Sequence, residues 1–398
     1  MGCSDREDPN HRGERIMKIH VDGGIFSTSG YSVTARGFIN ALNKREDTSV
    51  TIRDIPIQGD NAMSEESELK QLQAQPPTDV DIVLMWGVPE LRNVLYNRFP
   101  IPEGAEKHHM LSWECDQLPR LWSQILNNDV DRVITPSNFS SQAFNQVQKR
   151  LHVVPHGYDP EVFTYKPELK QDDVFRVLFV GTWIRRKSPI ETIMSLALGL
   201  INTNSEIMIK INYDRNSLAR IVTSLQSQLI RVKGIKASQI PKITILNGSY
   251  TQDEMNDLYN IADTVVLASR GEAWGMPLLN AMATKTPIIT TNQGGQIDFI
   301  PSDYEYLIPV LNLELAQGDG FYSPQFGLQW HNPDYTVIQE KIREMFDLTK
   351  VEREALGEKL FDHIKHLTWD NVVDNYLSKV NEKLYNVKAK ERVTKANS

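Results

Sequence analysis

The chain has 398 residues, of which 40% are hydrophobic and 24% charged, a balance that predicts a folded globular protein with room for two α/β domains. Its formal net charge of -8 argues against a surface that grips nucleic acid over its whole extent, and no apolar run approaches the length of a membrane span. The two cysteines, Cys3 and Cys115, cannot build a disulfide framework or a zinc site alone, and we expect a reducing, cytoplasmic location.

Residues 1–16 are polar and charged, and we expect them to form a disordered extension. Gly2-Cys3 hints at N-terminal acylation, although Arg6 stands where the myristoylation pattern requires Ser or Thr. Regular structure is predicted to begin at residues 17–22, which alternate apolar and polar side chains as a strand does. The Gly23-Gly24 turn and the helix after it complete a strand–turn–helix unit of the kind that cradles phosphate.

Strands and helices then alternate as far as residue 154. The predicted strands are residues 50–55, 81–86, 109–113, 132–135 and 151–154. The predicted helices are residues 64–75, 89–96, 118–126 and 138–147. This alternation indicates a parallel, doubly wound sheet.

A second series of the same type follows a stretch rich in Pro, Gly and charge at residues 155–173, which indicates a domain boundary. Its predicted strands are residues 175–180, 207–211, 243–246, 264–267 and 286–290. Residues 301–332 are predicted to be irregular, and helices are predicted at 334–347, 351–366 and 369–385. The predicted fold class is therefore α/β, with two Rossmann-like domains facing a cleft.

Three polar clusters of the second series lie where a strand ends and a helix begins, at residues 185–187, 247–249 and 272–280. Ligands of open α/β sheets bind at the carboxyl ends of strands, so we expect these clusters to line the cleft. The cations of the first cluster and the helix start of the third suit a diphosphate, and the Glu272 carboxylate suits sugar hydroxyls. The alternatives are a solvated basic loop for the first cluster and an ordinary βαβ corner for the third.

The third cluster carries the most specific pattern. The stretch Glu272-Ala273-Trp274-Gly275-Met276-Pro277-Leu278-Leu279-Asn280-Ala281-Met282-Ala283 resembles the Glu-x7-Glu donor-site signature of family-four retaining glycosyltransferases with a GT-B fold. Trp113-Glu114, Pro155-His156-Gly157-Tyr158-Asp159 and Gly294-Gly295 follow that family's order. The resemblance implies an N-terminal acceptor domain at 17–160, a donor domain at 161–368, a helix at 369–386 that crosses back to the first domain, and a frayed tail at 387–398.

The resemblance also implies which residues bind the donor. Lys187 and Arg186 would hold the donor diphosphate together with the amides around Gly275, Met276 and Leu278. The donor sugar would lie between Glu272 and the Gly23-Gly24 loop, and the nucleotide would contact Asn280, Asn247 and Ser249.

On the acceptor side, the resemblance points to Glu114 and Tyr31, and it makes His109 a candidate to lie near the reacting sugar carbon. Glu272, His109 and Lys187 are the candidates for catalysis. Glu114 has an alternative role as a structural carboxylate at a strand end, and His109 has one as a core or surface histidine.

Two positions depart from the family pattern. Asn280 stands where the family has its second Glu, and Thr182 where it has an Arg. An amide oxygen accepts a hydrogen bond from a ribose hydroxyl more weakly than a carboxylate does. The alternative function is therefore a catalytically degenerate sugar-nucleotide-binding or regulatory protein of the same fold.

The expected activity is transfer of a hexose from a UDP- or GDP-linked sugar, such as UDP-glucose, to an acceptor hydroxyl with retention of configuration. We expect no metal and no other cofactor, since Asp79-Val80-Asp81 leads into a strand and does not leave one. A glycan, lipid, protein or nucleic acid could each be the acceptor, and the oligomeric state is open. A dinucleotide oxidoreductase would need a Gly-x-Gly-x-x-Gly fingerprint, which the chain lacks.

Overall fold

The computed structural model describes residues 16–55, 67–170, 172–212, 215–318 and 320–380. The predicted acylation signal and the predicted tail lie outside these residues. None of the helices in the described part of the chain combines the length and the apolar character that crossing a membrane requires.

The first half is built on a six-stranded sheet whose neighbouring strands all pair in parallel. Its strands are β1 (Met17–Gly23), β2 (Thr48–Asp54), β3 (Ile82–Trp86), β4 (Glu106–Met110), β5 (Arg132–Thr135) and β6 (Arg150–Val153). Its helices are α1 (Gly30–Asn43), α2 (Ser67–Gln71), α3 (Pro89–Arg98), α4 (Arg120–Asp129) and α5 (Asn138–Gln142). The strand order is β2-β1-β3-β4-β5-β6.

The second half has its own six-stranded parallel sheet, in the order β12-β11-β10-β7-β8-β9. Its strands are β7 (Phe175–Val180), β8 (Ser205–Ile211), β9 (Lys242–Asn247), β10 (Thr264–Leu267), β11 (Ile288–Thr291) and β12 (Leu307–Ile308). Helices α6 (Pro189–Gly199), α7 (Arg215–Lys233), α8 (Gln252–Ile261) and α9 (Met276–Ala283) connect them. The two parallel sheets with their helices confirm the predicted fold class.

The apolar strands explain why these sheets form. Val265, Val266 and Leu267 of β10 are fully buried, as expected for a parallel strand covered on both faces. The helix starts also follow from the sequence, because Ser137 caps α5 by accepting a hydrogen bond from the amide of Ser140. Two predicted helices are shorter in the structure: α5 ends at Gln142, where turns take over, and α2 ends at Gln71.

Three helices end the described chain: α10 (Tyr335–Asp347), α11 (Lys350–Ile364) and α12 (Trp369–Val380). The last one packs against α1 of the first half. The chain crosses there beside Gly157, whose Cβ would lie 2.6 Å from the backbone nitrogen of Trp369 if it had one. Only glycine tolerates this approach, and it lets the chain before α12 pack directly on the segment that follows β6.

The prediction of irregular structure at residues 301–332 is wrong over three strands: β12 joins the second sheet, and two further segments form an antiparallel pair. Strands β13 (Val310–Leu315) and β14 (Gln329–Pro333) form a hairpin with a long connection, which we call the arm. The alternation of Leu311, Leu313 and Leu315 with polar residues suits a strand, but their side chains are exposed. The usual signal of a buried strand is therefore absent.

Candidate functional site

The charged residues predicted to bind the diphosphate lie together beside Glu272. Lys187 places its Nζ 2.5 Å from Oε1 of Glu272, and Arg186 places its Nη1 3.8 Å from Oε2. Arg186 also donates to the carbonyl oxygen of Gly271 at 2.5 Å. These contacts link the end of β7 to the end of β10, so the structure brings two of the three predicted clusters into one site.

The surroundings of these groups set their protonation. Burial opposes the charge of Glu272, but Lys187 and Arg186 outweigh it and hold the pKa of Glu272 below its ordinary value. Burial lowers the pKa of Lys187, although Glu272 counteracts it. Burial also disfavours the charge of Arg186, but the carboxylates beside it raise its pKa. Each carboxylate and cation therefore stabilises the charge of its neighbour.

The cations are presented by a short 3-10 turn, residues Arg185–Lys187, between β7 and α6. Ser188 ends the turn in the left-handed conformation, with φ of 51°. Arg270 holds the turn from the next strand, since its backbone amide donates to the carbonyl oxygen of Arg186 at 2.7 Å and its Nη1 to that of Arg185 at 2.9 Å. The side chain of Arg185 is exposed, so of the three predicted cations only Arg186 and Lys187 turn toward Glu272.

Hydrogen bonds from both halves of the molecule hold the loop that carries Glu272. The amide of Gly295 donates to the carbonyl oxygen of Glu272 at 2.7 Å. Ser137 of the first half donates through Oγ to the carbonyl oxygen of Ala273 at 2.7 Å. A Cβ on Gly295 would lie 1.9 Å from that same oxygen, which explains why this turn contains glycine.

Helix α9 begins beside this loop. Gly275 precedes it with φ of 99°, a conformation that favours glycine, and Pro277 lies in its first turn. The amide of Leu278 already donates to the carbonyl oxygen of Gly275 at 2.9 Å, so the structure does not support its predicted contact with the diphosphate. Met276 packs against the cores of both halves, so the start of α9 lies where the two halves meet.

Asn280 is buried on α9 and does not lie on the solvent-exposed surface of the helix. Its side chain forms a hydrogen bond with the hydroxyl group of Tyr259. Its Oδ1 atom has no hydrogen-bond partner among the described residues. A buried acceptor without a partner is rare in folded proteins, and a ligand hydroxyl would satisfy it.

Glu114 of the first half completes the group of charges. Its Oε1 lies 3.2 Å from Nη2 of Arg186, and its Oε2 accepts a hydrogen bond from the hydroxyl of Tyr322 at 2.7 Å. A Cβ on Gly271 would lie 2.4 Å from the carbonyl oxygen of Glu114, so the two halves are in direct contact here. The site therefore contains two cations and two carboxylates, with a formal sum of zero.

The predicted first-half loop lies at the end of β1. Gly23 approaches Trp86 so closely that a Cβ would lie 2.6 Å from its carbonyl oxygen, and Ser32 donates to the carbonyl oxygen of Gly24. Tyr31 donates to the carbonyl oxygen of Ser112 at 2.5 Å, two residues before Glu114. Burial, and then the charge of Glu114, raises the pKa of Tyr31. Tyr31 therefore lies near Glu114, and the role of both on the acceptor side stays a prediction.

His109 is not brought to this group of charges. Its side chain is fully buried, and its Nε2 contacts the carbonyl oxygen of Gly87 at 2.9 Å. Burial, followed by the charge of Arg92, lowers the pKa of His109 to about 3. The described contacts favour the core role that was the alternative for this residue, because its side chain projects from β4 toward α3.

Asn247 and Ser249 lie at the end of β9, the outermost strand on that side of the sheet. Lys210 holds the turn between them by donating to the carbonyl oxygen of Gly248 at 2.6 Å. Its Nζ also lies 4.3 Å from the ring centroid of Tyr250. The role of this turn in nucleotide binding stays a prediction.

Sequence reasoning gave no role to His156, which lies where the two halves meet. Its ring stacks on Trp86 at 5.8 Å between centroids and lies 6.3 Å from Trp274 and 5.9 Å from Trp369. Its Nε2 is 3.3 Å from Oγ of Ser112. The Pro-His-Gly-Tyr-Asp pattern marked the segment, but only the tertiary structure shows these neighbours.

Tyr322 was also missed, because it lies in the stretch predicted to be irregular. No local pattern distinguishes it from other tyrosines.

Among the described residues, no three His, Cys, Asp or Glu side chains come together in a way that could hold a metal ion. Independence from metal stays a prediction.

Comparisons with known proteins agree with this architecture. Residues 225–314 match the family model described as glycosyl transferases group 1. Mannosylfructose-phosphate synthase of Agrobacterium fabrum is 28% identical over 165 residues, which are 37% of this chain and 34% of that protein. D-inositol 3-phosphate glycosyltransferase of Corynebacterium urealyticum is 25% identical over 231 residues, 53% of each chain. The matches thus span between a third and about half of these relatives.

Solved structures show the same fold over nearly the whole chain. Anabaena HepE, in complex with UDP and glucose, has a TM-score of 0.66 at 12% identity and covers 92% of this chain and 100% of its own. Sucrose-phosphate synthase of Thermosynechococcus elongatus has a TM-score of 0.66 at 16% identity, with 93% and 100% covered. The fold is therefore GT-B. The matched segment, residues 225–314, is similar to group 1 glycosyltransferases, which confirms the resemblance seen in the sequence.

Proposed function

We propose that this protein is a retaining glycosyltransferase that moves a hexose from a UDP- or GDP-linked sugar to an acceptor hydroxyl without a metal. The observation that carries the proposal is the buried group in which Lys187 and Arg186 flank Glu272. Two cations near a helix start suit a diphosphate, and a carboxylate suits sugar hydroxyls. The complexes of Anabaena HepE with UDP and glucose and with UDP-glucose make UDP-glucose the first donor to test.

In the proposed reaction, the bond between the anomeric carbon and the diphosphate oxygen breaks. The acceptor oxygen bonds to that carbon on the face from which the diphosphate departs, so the configuration is retained. The acceptor proton passes to the departing diphosphate. Lys187 and Arg186 would stabilise the negative charge that grows there, and one cation at about 4 Å contributes roughly 4 kcal/mol at an effective dielectric constant near 20.

Contacts between the halves support a cleft that closes around the donor. The backbone amide of Asn138 donates to Oδ2 of Asp298 at 2.6 Å, across the same junction as the Ser137 contact with Ala273. A closed cleft excludes water, which would otherwise hydrolyse the donor. The acceptor would enter from the first half, beside Glu114 and Tyr31.

The test is a transfer assay with purified variants. Lys187→Ala and Glu272→Ala should each lower hexose transfer by a factor of about 100 or more, because each removes a buried partner of the reacting groups. Lys359→Ala is the matched control, since Lys359 lies in an exposed pair with Asp303. Unchanged turnover in both site variants would refute the proposal, and the anomeric configuration of the product, measured by NMR, tests retention.

A binding or regulatory protein is the second candidate, and the neutral Asn280 in place of a carboxylate favours it. The two candidates differ in one measurement, the release of nucleoside diphosphate from labelled UDP- and GDP-sugars. A thermal-shift series with UDP-, GDP- and ADP-sugars identifies the donor, because a ligand of the native state raises the melting temperature. A shift without release would support the binder.

A further inference from the structure

The arm reaches from the second half onto the first half next to the site. Phe321, in the connection between β13 and β14, packs edge-to-face on Trp122 with 4.6 Å between ring centroids. Tyr322 stacks on Trp113 at 5.6 Å, with an interplanar angle of 7°. The arm is also joined to the first half by backbone, since the amide of Asp116 donates to the carbonyl oxygen of Gln329 at 3.1 Å. It is therefore docked at residues on either side of Glu114.

Tyr322 touches both members of the Glu114–Arg186 pair. Its hydroxyl donates to Oε2 of Glu114 at 2.7 Å, while Oε1 of the same carboxylate lies 3.2 Å from Arg186. Its ring centroid is 5.8 Å from the guanidinium carbon of Arg186, within the range of a cation–π contact. Burial, and then the charge of Glu114, holds the pKa of Tyr322 well above its ordinary value. The hydroxyl therefore stays protonated and can donate the hydrogen bond to Glu114.

The arm reaches Arg186 by a second route. Glu314 of β13 accepts a hydrogen bond from Nε of Arg270 at 2.6 Å. The amide of Arg270 in turn donates to the carbonyl oxygen of Arg186 at 2.7 Å. The arm is thus linked to the side chain of Arg186 through Glu114 and to its backbone through Arg270.

We propose that Tyr322 is a positioning residue for the donor site, which orients Arg186 toward the diphosphate by fixing the carboxylate of Glu114. The inference rests on the proposed function, because it takes Arg186 to be a ligand of the diphosphate. A guanidinium with a long, flexible stem loses conformational freedom when a ligand fixes it. The ring of Tyr322 and the fixed carboxylate of Glu114 restrict the guanidinium before the ligand binds, which strengthens binding.

Tyr322→Phe is the test, since it deletes the hydroxyl and keeps the ring on Trp113. We expect the Kd for UDP, or for GDP if that is the base bound, to rise about tenfold, the lower end of the effect that loss of a hydrogen bond to a charged group predicts. The KM for the donor should rise in parallel, with a smaller change in kcat. Tyr165→Phe is the matched control, because Tyr165 also donates to a glutamate, Glu354, but on the surface.

A double-mutant cycle shows whether Tyr322 acts through Glu114. Glu114→Ala should weaken UDP binding, and adding Tyr322→Phe to it should have no further effect on Kd. Unchanged UDP binding in a Tyr322→Phe variant with wild-type melting temperature would overturn the inference. So would an undiminished effect of Tyr322→Phe in the Glu114→Ala background, since the hydroxyl would then act by another route.

Lys187→Ala separates this inference from the proposed function. If Lys187→Ala leaves UDP and GDP binding unchanged, the diphosphate site itself is misplaced and both proposals fail. If Lys187→Ala weakens binding while Tyr322→Phe does not, only the role of Tyr322 fails. If both weaken binding and the cycle shows coupling, the arm contributes to donor binding as inferred.

Discussion

Replacing Glu272 by Gln should strengthen the binding of a nucleoside diphosphate while it lowers transfer. In the structure, the Glu272 carboxylate lies 2.5 Å from Nζ of Lys187 and 3.8 Å from Nη1 of Arg186. The same two cations are proposed to bind the diphosphate. Glu272→Gln keeps the shape of the side chain and removes one negative charge, so the group of charges gains a net positive charge.

The magnitude follows from the distances. A phosphate bound on the far side of the two cations would lie about 6 Å from Glu272, where two negative charges repel by roughly 3 kcal/mol at an effective dielectric constant near 20. Glu272→Gln removes this repulsion, which favours diphosphate binding. Part of the gain in binding free energy is lost, because Lys187 and Arg186 lose the carboxylate that orients them. A net gain of about 1–2 kcal/mol corresponds to roughly tenfold tighter binding.

Calorimetric titration with UDP, or with GDP if that is the base bound, measures the effect. Uridine or guanosine, which lacks the diphosphate, should bind wild type and Glu272→Gln equally. Glu358→Gln, which removes an exposed partner of Lys285, is the matched control. Unchanged or weaker diphosphate binding by a folded Glu272→Gln protein would refute the reasoning, because the carboxylate would then not compete for the cations.

Three further predictions follow from particular residues. Asn280→Glu should tighten UDP binding about threefold but leave binding of the 2′,3′-dideoxy analogue unchanged, because a carboxylate accepts from ribose hydroxyls more strongly than an amide; equal gains for both ligands would contradict a ribose contact. His109 and His156 are buried with folded pKa values of about 3, below the ordinary 6.5, so their contribution to stability is complete above pH 6.5 and is lost as the pH falls toward 3. Each histidine should lower the free energy of unfolding by about 2 kcal/mol between pH 7.5 and pH 5, as measured by urea unfolding. His156→Gln should reduce the dependence of this free energy on pH. Gly157→Ala should lower stability by about 2 kcal/mol or more, since its Cβ would overlap the backbone of Trp369, whereas Gly30→Ala, with open space around it, should cost less.

Much of the fold was predictable because its signals are local. Strands such as β7 and β10 are short, largely apolar runs, and each is followed by polar residues and a glycine before the next helix begins. The Glu272–Gly275 segment could be singled out for the same reason, since a left-handed glycine and a proline in the first helical turn are encoded within a few residues. The position of Lys187 after β7 also followed from the chain order alone.

The face on which a side chain lies was harder to predict. His109 and His108 are neighbours on β4, and successive residues of a strand point to opposite faces. His108 contacts the hydroxyl of Tyr376 on α12 at 2.8 Å, whereas His109 contacts Gly87 on the other face. Neither reaches the cleft, which receives Glu114 from the loop beyond the strand.

The sequence by itself determined two parallel α/β units, the loop of Glu272 and the cations after β7, because each depends on residues close together in the chain. Only the tertiary structure decided that Glu114, Arg186 and Tyr322 meet, since 72 and 136 residues separate them along the chain. Such contacts depend on how the two halves and the arm pack, and packing is set by the shapes of whole surfaces. The cations beside Glu272 could therefore be predicted, whereas the contacts of Arg186 with the first half and with the arm could not.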